Sequence, residues 1–274
     1  MYLSRIFLLL VLACLLLPVL TVLGAWLQAD ARSAEVLLGM AQTVLPDYAL
    51  SSLVLCAWVL VGVVGMGTVS AVTVTLFEFR GRRVLEWALL LPLAMPAYVV
   101  AYAYTDFLQF SGPAQQWLRE QWGLQGRVLP EIRSLWGAAC VLALTLYPYV
   151  YVLARGALAE RATHLMEAAR LLGASLPRRI RAVALPLARP AIAAGAALAM
   201  METLADYGVS SYFGVQTFTT GIYKSWLVME DRLAAAQLST VLLGVVLVVL
   251  LVERRAQSRL RFAGNRAAER AREA

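Results

Sequence analysis

Residues 6–27 read IFLLLVLACLLLPVLTVLGAWL, 22 residues without a charged side chain. A hydrocarbon core of roughly 30 Å takes about 20 residues of helix to cross, at about 1.5 Å of rise per residue. The run therefore predicts a membrane-spanning helix and sets a scale for the rest of the chain. Comparable apolar runs follow at 48–76, 87–108, 135–154, 191–212 and 233–252. They are continuous rather than alternating apolar and polar. An unpaired backbone group in lipid costs several kcal/mol, so helices and not barrel strands are expected. The expected fold class is an all-α polytopic membrane bundle of about six transmembrane helices.

Composition agrees. Of 274 residues, 61% are hydrophobic and 15% charged, with a mean hydropathy of +0.71; a soluble domain carries about a quarter charged residues. The net charge of +7 raises nucleic acid as a partner, but the distribution of charge argues for a membrane. With the N-terminus in the cytoplasm, 18 of the 24 Lys and Arg residues fall on that side, in Arg5, the 77–86 loop, the stretch from Arg155 to Arg189, and the tail. The remaining 6 are Arg32, Arg119, Arg127, Arg133, Lys224 and Arg232. This is the positive-inside asymmetry, and it predicts an inner-membrane protein with both termini cytoplasmic. Nucleic-acid binding needs one basic face with stacking aromatics, and no such partner is expected.

The first run, preceded by Arg5 and followed by Ala29-Asp30-Ala31, also resembles a secretory signal. Its apolar stretch is too long for one, so an uncleaved helix is expected. Cys14, Cys56 and Cys140 all fall within apolar runs, as small packing residues. Residues 1–252 read as one transmembrane module and 253–274, rich in Arg, Ala and Glu, as a solvated basic tail or linker. Gly62, Gly65 and Gly67 permit close helix approach, as in ordinary bundle packing. The 109–134 loop begins Ser111-Gly112-Pro113 and carries Trp117 and Trp122, which suit a membrane interface.

The loop at 155–190 is longer than a connection between neighbouring helices requires, which implies structure and a partner of its own. Leu165, Ala168, Ala169 and Leu172 share one helical face, with Thr163 as a cap and Gly173 as a left-handed stop. Ser175 offers a second cap, before Arg178, Arg179 and Arg181. A face of small residues outside the membrane suits a socket on a partner protein. Equally, the arginines suit membrane lipid headgroups. From these residues alone both readings stand.

Glu167-Ala168-Ala169, three residues, Gly173, nine residues, then Val183-Ala184-Leu185-Pro186 resembles the EAA signature of binding-protein-dependent importer permeases, with Val183 where that family has Ile. The resemblance implies that this loop couples to a cytoplasmic ATP-binding subunit through Glu167, Ala168, Ala169, Gly173, Leu185 and Pro186. It also implies an extracytoplasmic solute-binding protein and a second permease module, because that family commonly carries two six-helix modules in one chain. Met95-Pro96-Ala97-Tyr98 through Tyr104-Thr105-Asp106, with Met201 to Gly208 and Tyr212 to Tyr223, is similar to ferric iron permeases. These stretches shade into thiamine, polyamine and phosphonate permeases.

Ionisable groups at membrane depth are costly and default to cavity-facing functional candidates. Glu202 and Asp206, four apart in the fifth run, are expected to share a helix face. With Tyr98, Tyr102, Tyr207 and Asp106 they form the candidate translocation path; oxygen groups of this kind suit a trivalent iron. An equal alternative is a structural role across helices. His164 has no Cys or His neighbour, so no metal site is expected there. No Walker-type loop is present, so the chain is not expected to be an enzyme or to bind a cofactor, ATP being used by the partner. A secondary transporter or channel relaying cations through the carboxylates is the rival from another class.

Overall fold

The computed structural model describes residues 2–273, and the side chains of residues 5–160 and 165–255. Among these residues every regular element is helical. Five helices are long and apolar enough to cross a membrane, or six if one bent pair forms a single span. The chain divides into two compact units, residues 1–52 with 216–247, and residues 53–215 with 248–274.

In the first unit, α1 (Tyr2–Gly24) precedes a shorter amphipathic helix, α2 (Ala31–Thr43). Asp30 and Ser33 form a reciprocal capping box at the start of α2, the Asp30 carboxylate accepting the Ser33 N–H at 2.7 Å. That backbone bond holds the Asp30 carboxyl below the usual carboxylate range. The start of α3 (Leu45–Leu76) also lies in this unit, where the Ser52 hydroxyl accepts the Phe218 N–H at 2.8 Å.

The second unit is built around α7 (Leu135–Leu171), whose Val141, Leu142, Val150, Tyr151, Ala154 and Leu158 are buried. Of the three glycines expected to permit close approach, two do so: a Cβ at Gly62 or Gly67 would lie 2.6 Å from the Cβ of Ala143 or Val150. Gly65 faces open space.

The third apolar run, expected as one helix over 87–108, is broken. It comprises α4 (Arg82–Ala88), a 3-10 turn at Leu91–Ala94, and α5 (Ala97–Leu108), with a 99° bend between Arg82–Ala94 and Ala97–Trp122. Pro96 cannot donate to a helix, and Met95 before it is extended. A break at membrane depth exposes backbone carbonyls, and α7 satisfies two of them. Its Tyr151 hydroxyl donates to the Glu86 carbonyl at 3.1 Å and its Tyr147 hydroxyl to the Leu89 carbonyl at 3.0 Å. Helix α6 (Pro113–Trp122) then occupies part of the 109–134 loop, with Trp117 and Trp122 exposed.

Two further boundaries differ from expectation. Thr163 does not start a new helix: α7 runs unbroken past it to Leu171, and the side chains of Thr163 and His164 lie outside the described residues. The fifth run also does not continue to residue 212. A short helix α8 (Leu176–Arg179) and a π-helical turn (Ile180–Ala184) lead into α9 (Leu185–Ala205), and α10 (Gly208–Tyr212) is separate. Pro186 has no N–H for the carbonyl of Ala182, and the π turn absorbs that loss with Leu185 bonding to Ile180 five residues back. In the first unit α11 (Phe218–Leu227) follows and α12 (Arg232–Glu273) begins; α12 carries helical backbone through the segment expected as a tail, which belongs to the second unit.

Candidate functional site

The candidate coupling segment lies where α7 ends. The Gly173 N–H donates to the Arg170 carbonyl at 2.9 Å and the Ala174 N–H to the Ala169 carbonyl at 3.0 Å. Gly173 adopts φ +79°. This paired pattern around a left-handed glycine stops the helix and turns the chain sharply, as the sequence predicted for Gly173. Ser175 stands at the N-cap of α8 without a side-chain cap bond.

The stop divides the motif into an exposed half before it and an anchored half after it. Leu165, Glu167 and Ala168 are exposed, and Leu171 and Leu172 are 89% and 87% exposed. Ala169 is half-buried. Ala184 is fully buried, Val183 and Leu187 pack on the core of the second unit, and Leu185 and Pro186 between them are half-buried. The Arg179 guanidinium reaches back to the Met166 carbonyl at 3.5 Å. An apolar knob is thus held out on a rigid base, a shape suited to insertion in a partner's socket.

The second candidate region gathers α5, α9, α10 and the start of α7. Glu202 and Asp206 do not share a helix face, because α9 ends at Ala205 and Asp206 is extended. The Asp206 carboxylate caps α10, accepting the N–H groups of Val209 and Ser210 at 3.3 and 2.9 Å and the Ser210 hydroxyl at 3.0 Å. Glu202 is exposed and lies near the Tyr149 hydroxyl of α7.

Tyr98, Tyr102 and Asp106 recur every four residues along α5, and all three are exposed. Tyr98 packs against Gly208, where a Cβ would lie 3.1 Å from its own Cβ. Tyr102 meets Tyr212 with ring centroids 6.1 Å apart, and the Arg133 guanidinium lies 4.7 Å above the Tyr212 ring. Asp106 accepts from the Gln109 side chain at 3.5 Å. Tyr207 is half-buried, its carbonyl accepting the Ser211 N–H. Among the described residues no three His, Cys, Asp or Glu side chains converge as a metal site would require.

Arg133, Tyr149 and Tyr212 join this region without having been marked as site residues in the sequence. Tyr149 carried a signal, since it lies in an apolar run beside Tyr147 and Tyr151. Arg133 carried none, since its partner comes from a segment 79 residues later.

The described residues thus form an all-helical arrangement of long apolar helices from which one loop projects. Residues 64–262 match the family of the binding-protein-dependent transport system inner membrane component. The chain belongs to that family, and it is a multi-pass inner-membrane transport component, not an enzyme. It is 25% identical over 203 residues to the Fe(3+)-transport system permease protein FbpB 2 of Haemophilus influenzae, a match covering 74% of this chain and 36% of that protein. It is 27% identical to the putative molybdenum transport system permease YvgM of Bacillus subtilis, covering 59% of this chain and 71% of that one. The sulfate permease CysT of Escherichia coli is 27% identical, with 70% and 69% covered. In fold it resembles a chain of a bacterial alginate ABC transporter crystallised with an alginate-bound periplasmic protein, at a TM-score of 0.77 and 19% identity over 94% of this chain and 95% of that one.

Proposed function

We propose that this chain is one permease module of an ATP-driven importer, forming half of a translocation path that a second module completes. The observation that carries the proposal is the exposed knob Leu165, Ala168, Leu171 and Leu172, turned out by the Gly173 stop on an anchored base. A cytoplasmic ATP-binding subunit seats this knob, and an extracytoplasmic solute-binding protein delivers cargo. Both termini then lie in the cytoplasm, in keeping with the placement of Lys and Arg. ATP-driven approach of the nucleotide subunits draws the coupling segments together and switches the path by rigid-body motion.

Ferric iron is the cargo we favour, on the iron permease relative and on the oxygen-bearing side chains Tyr98, Tyr102, Asp106, Glu202 and Tyr207. Asp206 borders this group with its carboxylate engaged in capping. A pathway residue should hold cargo weakly, which suits a scattered set of oxygens better than a tight cage. A second reading, a tetrahedral oxyanion, is supported by the molybdenum and sulfate permease relatives and by the exposed cation Arg133.

Cells lacking the gene, complemented with it or with Glu167→Ala, are assayed for uptake of labelled ferric iron, molybdate and sulfate. Iron uptake restored by the unaltered gene alone supports the iron reading, and restoration of molybdate or sulfate uptake alone replaces it. Affinity purification from the native host decides the class. A co-purifying ATPase that is lost on Ala168→Trp upholds the importer, whereas uptake that collapses with the proton gradient and needs no ATPase marks a secondary transporter.

A further inference from the structure

We infer that the Glu86–Arg155 ion pair is a positioning contact through which the coupling end of α7 moves the first half of the broken third span, an inference resting on the ATP-driven reading above. Tyr147, Tyr151 and Arg155 recur at four-residue intervals and so share one face of α7. All three reach the stretch around α4. The two hydroxyls bond the Leu89 and Glu86 carbonyls, and the Arg155 guanidinium lies 3.1 Å from the Glu86 carboxylate. The Glu86 side chain is only 19% exposed. The same carboxylate lies 3.5 Å from Arg82, which in turn pairs with Glu78 at 3.2 Å.

Two weak points in the backbone divide this unit. Pro148 within α7 has no N–H for the Leu144 carbonyl, so the helix bends most readily there. Met95-Pro96 is the bend of the third span. On one side of these points, α7 beyond Pro148 is fastened to α4 by Tyr151 and Arg155. On the other, Arg133 immediately before α7 stacks on Tyr212, which meets Tyr102 of α5. The first half of the broken span is thus held by α7 on both sides of Pro148, by Tyr147 just before it and by Tyr151 and Arg155 beyond it, whereas the second half meets Arg133 through Tyr212.

Arg155 is the tie closest to the coupling end, and from it the helix continues without a break to Leu171. Displacement of the knob passes along that rod to Arg155 and from there to Glu86. The hydroxyl bonds alone are short-ranged and give way with small shifts, whereas the attraction between the half-covered Glu86 carboxylate and the partly exposed Arg155 guanidinium falls off more gradually with distance. Because Arg82 also neutralises Glu86, loss of Arg155 releases the tie without leaving the carboxylate unpaired.

The test uses the complex purified with its ATPase in lipid nanodiscs, with Cys14, Cys56 and Cys140 replaced and nitroxides placed at the exposed positions Val84 on α4 and Ala103 on α5. Trapping with ATP and vanadate should change the Val84–Ala103 distance in the otherwise unaltered complex. In Arg155→Gln that change should be lost while ATP hydrolysis stays within about twofold of unaltered, and Arg155→Lys should restore it. Glu86→Gln and the double variant should match Arg155→Gln, because both substitutions open the same contact. A full distance change in Arg155→Gln, or no change in the unaltered complex, overturns the inference. So does a double variant worse than either single one, or a loss of hydrolysis in Arg155→Gln that Arg155→Lys does not restore. Failure to isolate any ATPase with the chain is a separate result: it removes the importer reading and this inference together.

Discussion

Gly195 of α9 lies so close to Val150 of α7 that a Cβ added there would stand 2.6 Å from the Val150 Cα and 2.8 Å from the Tyr149 carbonyl oxygen. The obstacle is backbone on a central helix, which cannot swing aside like a side-chain end. Gly195→Val should destabilise the module by about 1–3 kcal/mol through overpacking. Thermal unfolding of the detergent-solubilised protein measures it, and an unchanged midpoint would contradict the packing described.

Gly173 ends α7 with φ +79°, a conformation that costs a residue with a Cβ about 1–2 kcal/mol. Gly173→Val should leave the membrane bundle intact but turn the knob of Leu171 and Leu172 away from its socket. Recovery of the ATPase with the tagged permease should fall while permease abundance is unchanged. Equal recovery would show that the direction of this turn does not matter to docking.

Asp206 and Glu202 should respond differently. Asp206→Ala removes the acceptor of three hydrogen bonds at the start of α10 and should cost about 1–2 kcal/mol, whereas Asp206→Asn keeps a side-chain oxygen and should cost less. Glu202 is exposed beside Tyr149. Glu202→Gln should leave stability within about 0.5 kcal/mol of unaltered and, if Glu202 lines the path, lower uptake. Measuring melting and uptake together separates the two effects.

Arg133→Gln discriminates the cargo. For an anionic cargo the change should reduce uptake on the order of tenfold by removing a positive charge beside Tyr102 and Tyr212. For a cationic cargo uptake should hold or rise. Initial rates with labelled molybdate and ferric iron distinguish them.

The cap of α2 should depend on pH. Because the bond from the Ser33 N–H lowers the folded-state pKa of Asp30, its contribution is complete above the unfolded carboxylate pKa and is lost as pH falls through the lower folded value. Hydrogen exchange at the first α2 amides should quicken, relative to the rest of the helix, only below pH about 4. Asp30→Asn should show no such step, and a step retained in that variant would assign the titration elsewhere.

The broad architecture was legible because it depends on local sums. Apolar length sets which runs can cross lipid, and Gly173 stops a helix by its own backbone freedom; the runs at 48–76 and 135–154 appear as α3 and α7. Between Glu167 and Pro186 a helix, a stop and a re-entry are likewise read within 20 residues, whereas the coupling role of that stretch came from its resemblance to the importer signature. The 3.6-residue period could not show that Thr163 lies inside a longer helix, because neither an apolar face nor a Thr requires a helix to begin there.

What only tertiary structure decided is where polar groups find partners. Hydropathy counts side chains and is blind to a backbone carbonyl, so the break at Met95-Pro96 passed as a continuous span. Upstream of it, where α4 gives way to the 3-10 turn, Tyr147 and Tyr151, more than fifty residues later, supply donors to the Leu89 and Glu86 carbonyls. Glu202 and Asp206 looked equivalent at four-residue spacing, yet one lies exposed near a tyrosine of another helix and the other caps a helix that the apolar pattern had merged with its neighbour. The sequence by itself determined which segments belong in lipid and which one projects from it, since transfer free energy adds residue by residue along the chain. Hydrogen bonds and ion pairs depend on distances between residues far apart in sequence, and only the packed helices set those.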